Sequence, residues 1–186
     1  MTVSSEGWFG LKEITLIPIG GSDPEVLTLL ANELEAEFNL KTELGGEMHI
    51  PKDSFNPRRN QYYASRILKL LKAEHPFHEG PIIGVCDVDL FIPDHDFVFG
   101  ESDPISQISI ISLTRFKEGF IDKKQDKTRF IKRVLRVAVH ELGHIYGLGH
   151  CMEEDCVMHF SNDKAAKNRI GHHLCERCKA KIKSRI

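Results

Sequence analysis

The sequence predicts an α/β fold, a mixed twisted sheet covered by helices, and three observations carry that expectation. Segments with strand-like and helix-like periodicity alternate along the chain. The central run PIIGVCDVDLFI is apolar almost throughout, as a strand covered on both faces requires. The 186 residues are 41% hydrophobic and 28% charged, enough apolar material for one domain around one main core.

The first strand is expected from Leu11 in LKEITLIPIG, ended by Gly20 and Gly21. SDPEVLTLLANELEAEF then offers Ser22 or Asp23 as a helix N-cap, a proline in the first turn, and Val26, Leu29, Leu30 and Leu34 at helical spacing. LKTELGGEMHIP is a weaker strand, and RRNQYYASRILKLLKAE a second helix with Tyr63, Ile67, Leu70 and Leu71 on one face. After the central run, DFVFG and ISQISIIS read as two more strands, the second half-exposed by its alternation. KEGFIDKKQDK is a charged surface loop. From Thr128 a long helix, TRFIKRVLRVAVHELGHIYGL, turns Phe130, Val134, Val137, Ala138 and Leu142 inward. The remaining tail reads as mostly irregular. The expected division is a single domain over 1–186, with an α/β part at 1–147 ending in the histidine-bearing helix and a small C-terminal part at 148–186.

A net charge of −2 gives no sustained positive field, so neither nucleic acid nor a membrane surface is an expected partner. The basic tail, KNRIGHHLCERCKAKIKSRI, spreads Lys179, Lys181, Lys183 and Arg185 around a solvated helix end with few aromatics. The first twenty residues lack the pattern of a secretory signal, and no run reaches the roughly 18 apolar residues of a membrane span. The expectation is a cytoplasmic monomer whose thiols stay reduced, which favours metal over disulfides for clustered cysteines. Cys86, alone in the central run, reads as a small buried hydrophobe.

HELGHIYGLGHC, residues 140–151, carries the chemistry. Residues four apart on a helix share a face, so His140 and His144 can offer two nitrogens to one ion. Glu141 is placed to reach a water on that ion as general base. Gly147 falls where the helix must stop for the chain to turn back and bring His150 in as third ligand. Three imidazoles leave one position open to water, the mark of catalytic zinc, and peptide-bond hydrolysis is the natural reaction. Four more potential ligands follow. Cys151, Cys156, Cys175 and Cys178 form two close pairs suited to a closed tetrahedral structural zinc. Two disulfides, unpaired buried thiols, or a mixed site using His172 or His173 remain alternatives.

The pattern HExxHxxGxxH at His140, Glu141, His144, Gly147 and His150 resembles that of the metzincin metallopeptidases, and Met158 sits where their methionine turn lies. With Cys151, Cys156, Cys175 and Cys178 added, the chain resembles the archaemetzincins, or archaelysins. The 16-residue spacer from Met158 to Cys175 is about one shorter than that family's pattern. RRNQYYAS and FVFGE, Phe97 to Glu101, also look like the family.

The resemblance implies a compact metzincin-like fold, two zinc ions per chain, and a metalloprotease acting on peptide or protein substrates, with aminopeptidase-like and endopeptidase action both open. It further implies that Phe97, Val98, Phe99 and Gly100 supply an edge strand for the substrate, although plain core aromatics explain Phe97 and Phe99 equally well. A zinc-binding peptide-recognition protein with little turnover is the alternative, against which the intact Glu141 speaks. Tyr62, Tyr63, Tyr146 and His159 are expected to be structural.

Overall fold

The structure, a computed structural model, describes residues 13–117, 125–159 and 171–183. Its elements run β1 (Ile14–Ile19), α1 (Pro24–Phe38), β2 (Thr42–Leu44), a 3-10 turn at Lys52–Ser54, β3 (Phe55–Asn56), β4 (Gln61–Tyr63) and α2 (Ala64–Glu74). Then come β5 (Ile82–Cys86), β6 (Leu90–Phe91), β7 (Gly100–Asp103), β8 (Ile108–Ser112), α3 (Thr114–Lys117), α4 (Gln125–Ile145) and α5 (Glu176–Lys183). The main sheet has the order β2-β1-β5-β8-β7. Its first four strands are parallel, and β7 returns antiparallel to β8 at the edge. A small second sheet joins β3, β4 and β6.

Strand parity sorts the core into two layers. Ile14 and Leu16 of β1, Ile83 and Val85 of β5 and Ile111 of β8 face α1 and α4. Ile17 and Ile19, Ile82, and Ile108 with Ile110 face the opposite way, onto Ala64, Ile67, Leu68 and Leu71 of α2. The first layer continues without a break into Cys151, Cys156, Val157, Met158, Cys178 and Ile182, so the C-terminal residues share the main core.

Several expectations shift by a few residues for identifiable reasons. Leu11 and Lys12 lie outside the described residues, as does most of the charged loop before α4, which starts at Gln125, ahead of Thr128. Asp23 caps α1 by accepting a bond from the Glu25 amide at 2.9 Å, while Ser22 is buried and donates to the Val85 carbonyl at 2.7 Å. In the second helix Leu68 is buried, and Leu70 is only partly so. Tyr63 precedes that helix, in β4, where it stacks on Phe91. β8 is buried along its whole length, correcting the half-exposed reading. Its polar positions are satisfied internally: Ser109 donates to the Ile82 carbonyl at 3.3 Å and Ser112 to that of Val88 at 2.6 Å.

The largest correction concerns the edge strand, which begins at Gly100 and not at Phe97. Phe99 stacks on Phe116 of α3, Phe97 meets Phe99 edge-on, and the Arg115 guanidinium lies 3.8 Å above the Phe97 ring. Those contacts anchor the aromatic residues to α3, and Val98 makes only an isolated bridge to Leu90. The tail also gains a regular element, α5, which carries Cys178 and buries Ile182. Cys86 is fully buried, and burial pushes its thiol up to about 12, as a core filler requires.

Candidate metal centre

α4 ends in a Schellman turn built on Gly147. The Leu148 amide reaches the Gly143 carbonyl at 2.8 Å, the Gly147 amide reaches that of His144 at 2.8 Å, and Gly147 takes φ +80°. A side chain at 147 would be strained there. The turn sends the chain back past the helix end and brings His150 to the two helical histidines. Their ligand nitrogens lie within 4.8 Å of one another.

Two carbonyls fix the tautomers of the helical pair. His140 donates through Nδ1 to the Val157 carbonyl at 2.9 Å, and His144 through Nδ1 to that of Leu148 at 2.9 Å. With both Nδ1 atoms protonated, the neutral rings present bare Nε2 lone pairs, and these face each other at 3.1 Å. Burial holds the His140 pKa down to about 4: the Val157 bond opposes that drop, and the charges of His144 and His150 deepen it. Two opposed lone pairs are repulsive unless a cation lies between them. Their spacing is near the roughly 3.3–3.4 Å edge of a tetrahedron with zinc–nitrogen bonds of about 2.0–2.1 Å. The residues therefore fit zinc.

Glu141 is 6% exposed, and β7 sits directly over it. Ser102 donates its hydroxyl to Glu141 Oε2 at 2.7 Å. At Gly100 any Cβ would lie 2.8 Å from Glu141 Oε1, so this close approach needs glycine. Burial pushes the Glu141 carboxyl up to about 7; the Ser102 bond opposes the rise and the charge of Glu101 adds to it. Glu101, itself raised by burial, accepts from Ser65 at 2.6 Å.

Beneath the histidines, fully buried Met158 packs over Gly143, where an added Cβ would crowd its sulfur and come 3.0 Å from its Cε. The turn around it is closed by the Cys151 amide donating to the Met158 carbonyl and the His159 amide donating to that of Cys156, both at 2.9 Å. His159 Nδ1 bonds the Cys151 carbonyl at 3.0 Å. Tyr146 packs on Phe38, Tyr62 on Phe55.

The four other cysteines also come together, all sulfurs within 4.8 Å. Cys151 and Cys175 are 3.8 Å apart, too far for a disulfide and equal to the edge of about 3.8 Å expected around zinc with bonds of about 2.3 Å to sulfur. Arg177 donates to the Cys151 sulfur at 3.3 Å, and the Cys175 amide to that of Cys156 at 3.4 Å. Burial works to raise the Cys151 thiol, yet bonds from the Glu153 backbone and Arg177 bring it down to about 7. The Cys175 and Cys178 thiols are instead raised, first by burial, so a bound cation would supply the positive charge that adjacent thiolates need. His172 and His173 are not part of this group: they lie with Glu37.

Sequence reasoning passed over Ser102 and Gly143, and named Gly100 as part of a substrate edge strand but not as a neighbour of Glu141. Gly143 stood inside the motif and Gly100 inside FVFGE, but their roles depend on contacts with residues distant in sequence.

Comparison with known proteins gives this architecture its class, a zinc-dependent metallopeptidase that hydrolyses peptide bonds. The model of peptidase family M54 matches residues 40–184, and the chain belongs to that family, whose members are the archaemetzincins. The archaemetzincin of Saccharolobus islandicus (strain Y.N.15.51 / Yellowstone #2) is 33% identical over 174 residues, covering 92% of this chain and 93% of its own. The crystal structure of archaemetzincin from Archaeoglobus fulgidus, complexed with malonate, superimposes with a TM-score of 0.76 at 27% identity, covering 91% of this chain and 99% of that one. A zinc-dependent peptidase from Methanocorpusculum labreanum gives 0.79 at 25% identity, with the same coverage. No helix among the described residues is long and apolar enough to cross a membrane.

Proposed function

We propose that His140, His144 and His150 hold a catalytic zinc, that Glu141 is the general base, and that Cys151, Cys156, Cys175 and Cys178 hold a second, structural zinc. The facing lone pairs of His140 and His144, 3.1 Å apart and each fixed by a backbone carbonyl, are the observation that carries the assignment. Zinc bound there supplies Lewis acidity, polarising the scissile carbonyl and acidifying a water.

The protein's own groups do the rest. The Glu141 carboxylate takes a proton from the attacking water and returns it to the departing amine nitrogen, so its pKa must lie near the working pH to serve both steps. Burial supplies that tuning, and Ser102 orients the carboxylate while leaving its other oxygen for the water. Met158 and the turn around it support the helix from below.

β7 takes the role expected of the edge strand, at Gly100–Asp103. It pairs with β8 on one side, and an extended peptide would add to the other as a further strand, its backbone lying along the strand that touches Glu141. Residues 148–186 act as a small zinc-bound subdomain completing the site with His150 and Met158. A four-thiolate site persists in a reducing compartment, which favours the cytoplasm.

The decisive experiment incubates zinc-loaded protein with a diverse peptide library beside Glu141→Ala. Cleavage by the parent alone, with equal zinc in both proteins, is expected. Full activity in the variant would refute Glu141 as base. Metal analysis after desalting is expected to give two zinc per chain.

A further inference from the structure

Glu37, one residue before the end of α1, meets two histidines contributed from the far end of the chain. His172 Nε2 lies 3.3 Å from one carboxylate oxygen and His173 Nδ1 lies 3.4 Å from the other. Charge-assisted hydrogen bonds between such groups run at about 2.7–2.9 Å, so both approaches are long for a direct ion pair. Each is close to the roughly 3.3–3.4 Å that separates two nitrogen or oxygen ligands on one tetrahedral ion with bonds of about 2.0–2.1 Å, and because they run to different oxygens the carboxylate would turn to offer one of them to the ion. The same comparison of edges fits the two clusters described above, at 3.1 and 3.8 Å. All three ligand atoms lie within 4.8 Å of one another.

We propose that Glu37, His172 and His173 form a third metal site, which takes a divalent transition ion such as Zn²⁺. Imidazole and carboxylate donors suit that class of ion, and Glu37 supplies the negative charge. Three protein ligands leave the remaining positions to water. The surroundings preorganise the site. Arg136 of α4 donates to the Gly171 carbonyl just ahead of the pair, and the Val157 amide holds the His173 carbonyl at 2.9 Å. The carboxylate and His172 are largely shielded while His173 is exposed, which gives an ion a path in from solvent. A bound ion fastens the end of α1 to the segment leading into Cys175, so the role that follows is a conditional clamp on the C-terminal residues, set by free metal concentration. It does not depend on the proposed catalytic assignment.

Isothermal titration with Zn²⁺ alone, on full-length zinc-loaded and desalted protein, tests the site. The parent is expected to take up one equivalent more than His173→Ala or Glu37→Gln, or to bind that equivalent at least tenfold more tightly. Its Tm should rise with excess Zn²⁺ while the variants' do not, and peptidase turnover should be unchanged in all three. His173 is 68% exposed and its ring contact is with His172, so its replacement removes little packing and none from the core. The same number of equivalents and the same affinity in parent and both variants would overturn the proposal, whatever the occupancy of the other clusters.

Discussion

Replacing Gly100 with alanine asks whether the edge strand sets the position of the general base. The new Cβ would lie 2.8 Å from Glu141 Oε1 and 2.8 Å from the Ile110 carbonyl oxygen, where ordinary contact begins at 3.4 Å. Ile110 belongs to β8, paired on both sides, so its carbonyl cannot retreat without breaking the ladder. The strain therefore falls on Glu141, which must move by about 0.6 Å. A misplacement of about 1 Å can cost 10²-fold in rate, which sets the expected loss of kcat/KM at roughly tenfold. Overpacking costs about 1–3 kcal/mol, and at about 2–4 °C per kcal/mol for a chain of this size Tm should fall by about 2–12 °C. The assay follows cleavage of the best library peptide, with zinc content measured in parallel and Gly46→Ala as control, since a Cβ at Gly46 meets nothing within 4 Å. Parental kcat/KM in Gly100→Ala, with zinc retained, would refute the coupling between β7 and Glu141.

Three further outcomes are expected. Ser102→Ala removes a bond to a charged group worth about 1.5–3 kcal/mol, so kcat should drop at least tenfold with KM unchanged, and Ser102→Thr, which keeps the hydroxyl, should restore most of it. In chelator-treated protein, the raised Glu141 pKa favours the fold below about 4.5 and loses that advantage as pH rises through about 7, whereas the lowered His140 pKa favours it above about 6.5 and loses that advantage as pH falls through about 4. The two slopes oppose each other over most of that window, so denaturant titrations should show stability rising with pH in Glu141→Gln and falling with pH in His140→Gln. Cys178→Ser should lose one zinc per chain and open residues beyond 148 to limited proteolysis, because structural zinc supplies folding free energy; an unchanged zinc count would remove Cys178 from the ligands.

Local signals carried much of the fold. α1 and α4 follow from the 3.6-residue spacing of Val26, Leu30 and Leu34 and of Val134, Ala138 and Leu142, and β5 from its unbroken apolar run. The strand β8 misled because Ser109 and Ser112 are polar yet buried, satisfied by carbonyls of neighbouring segments that no local pattern reveals. The sequence places the edge strand three residues early because Phe97, Val98 and Phe99 have strand propensity, while the two phenylalanines pack on α3 and Val98 bridges to Leu90 of β6. The histidine and cysteine groups were legible because metal chemistry fixes ligand type and spacing within short segments. Ser102 against Glu141, 39 residues apart, and Glu37 against His173, 136 apart, were invisible because each is made by tertiary packing alone.

Val157 gathers these clusters at a single residue. Its carbonyl accepts from His140, its amide donates to the His173 carbonyl, and its neighbour in the chain is Cys156. If metal at one cluster orders that residue for another, thermodynamic linkage makes the effect mutual: the factor by which zinc on the thiolates tightened the histidine site would be the factor by which zinc on the histidines tightened the thiolates. Metal would then enter and leave this protein cooperatively, so a chelator able to strip one centre also loosens the next.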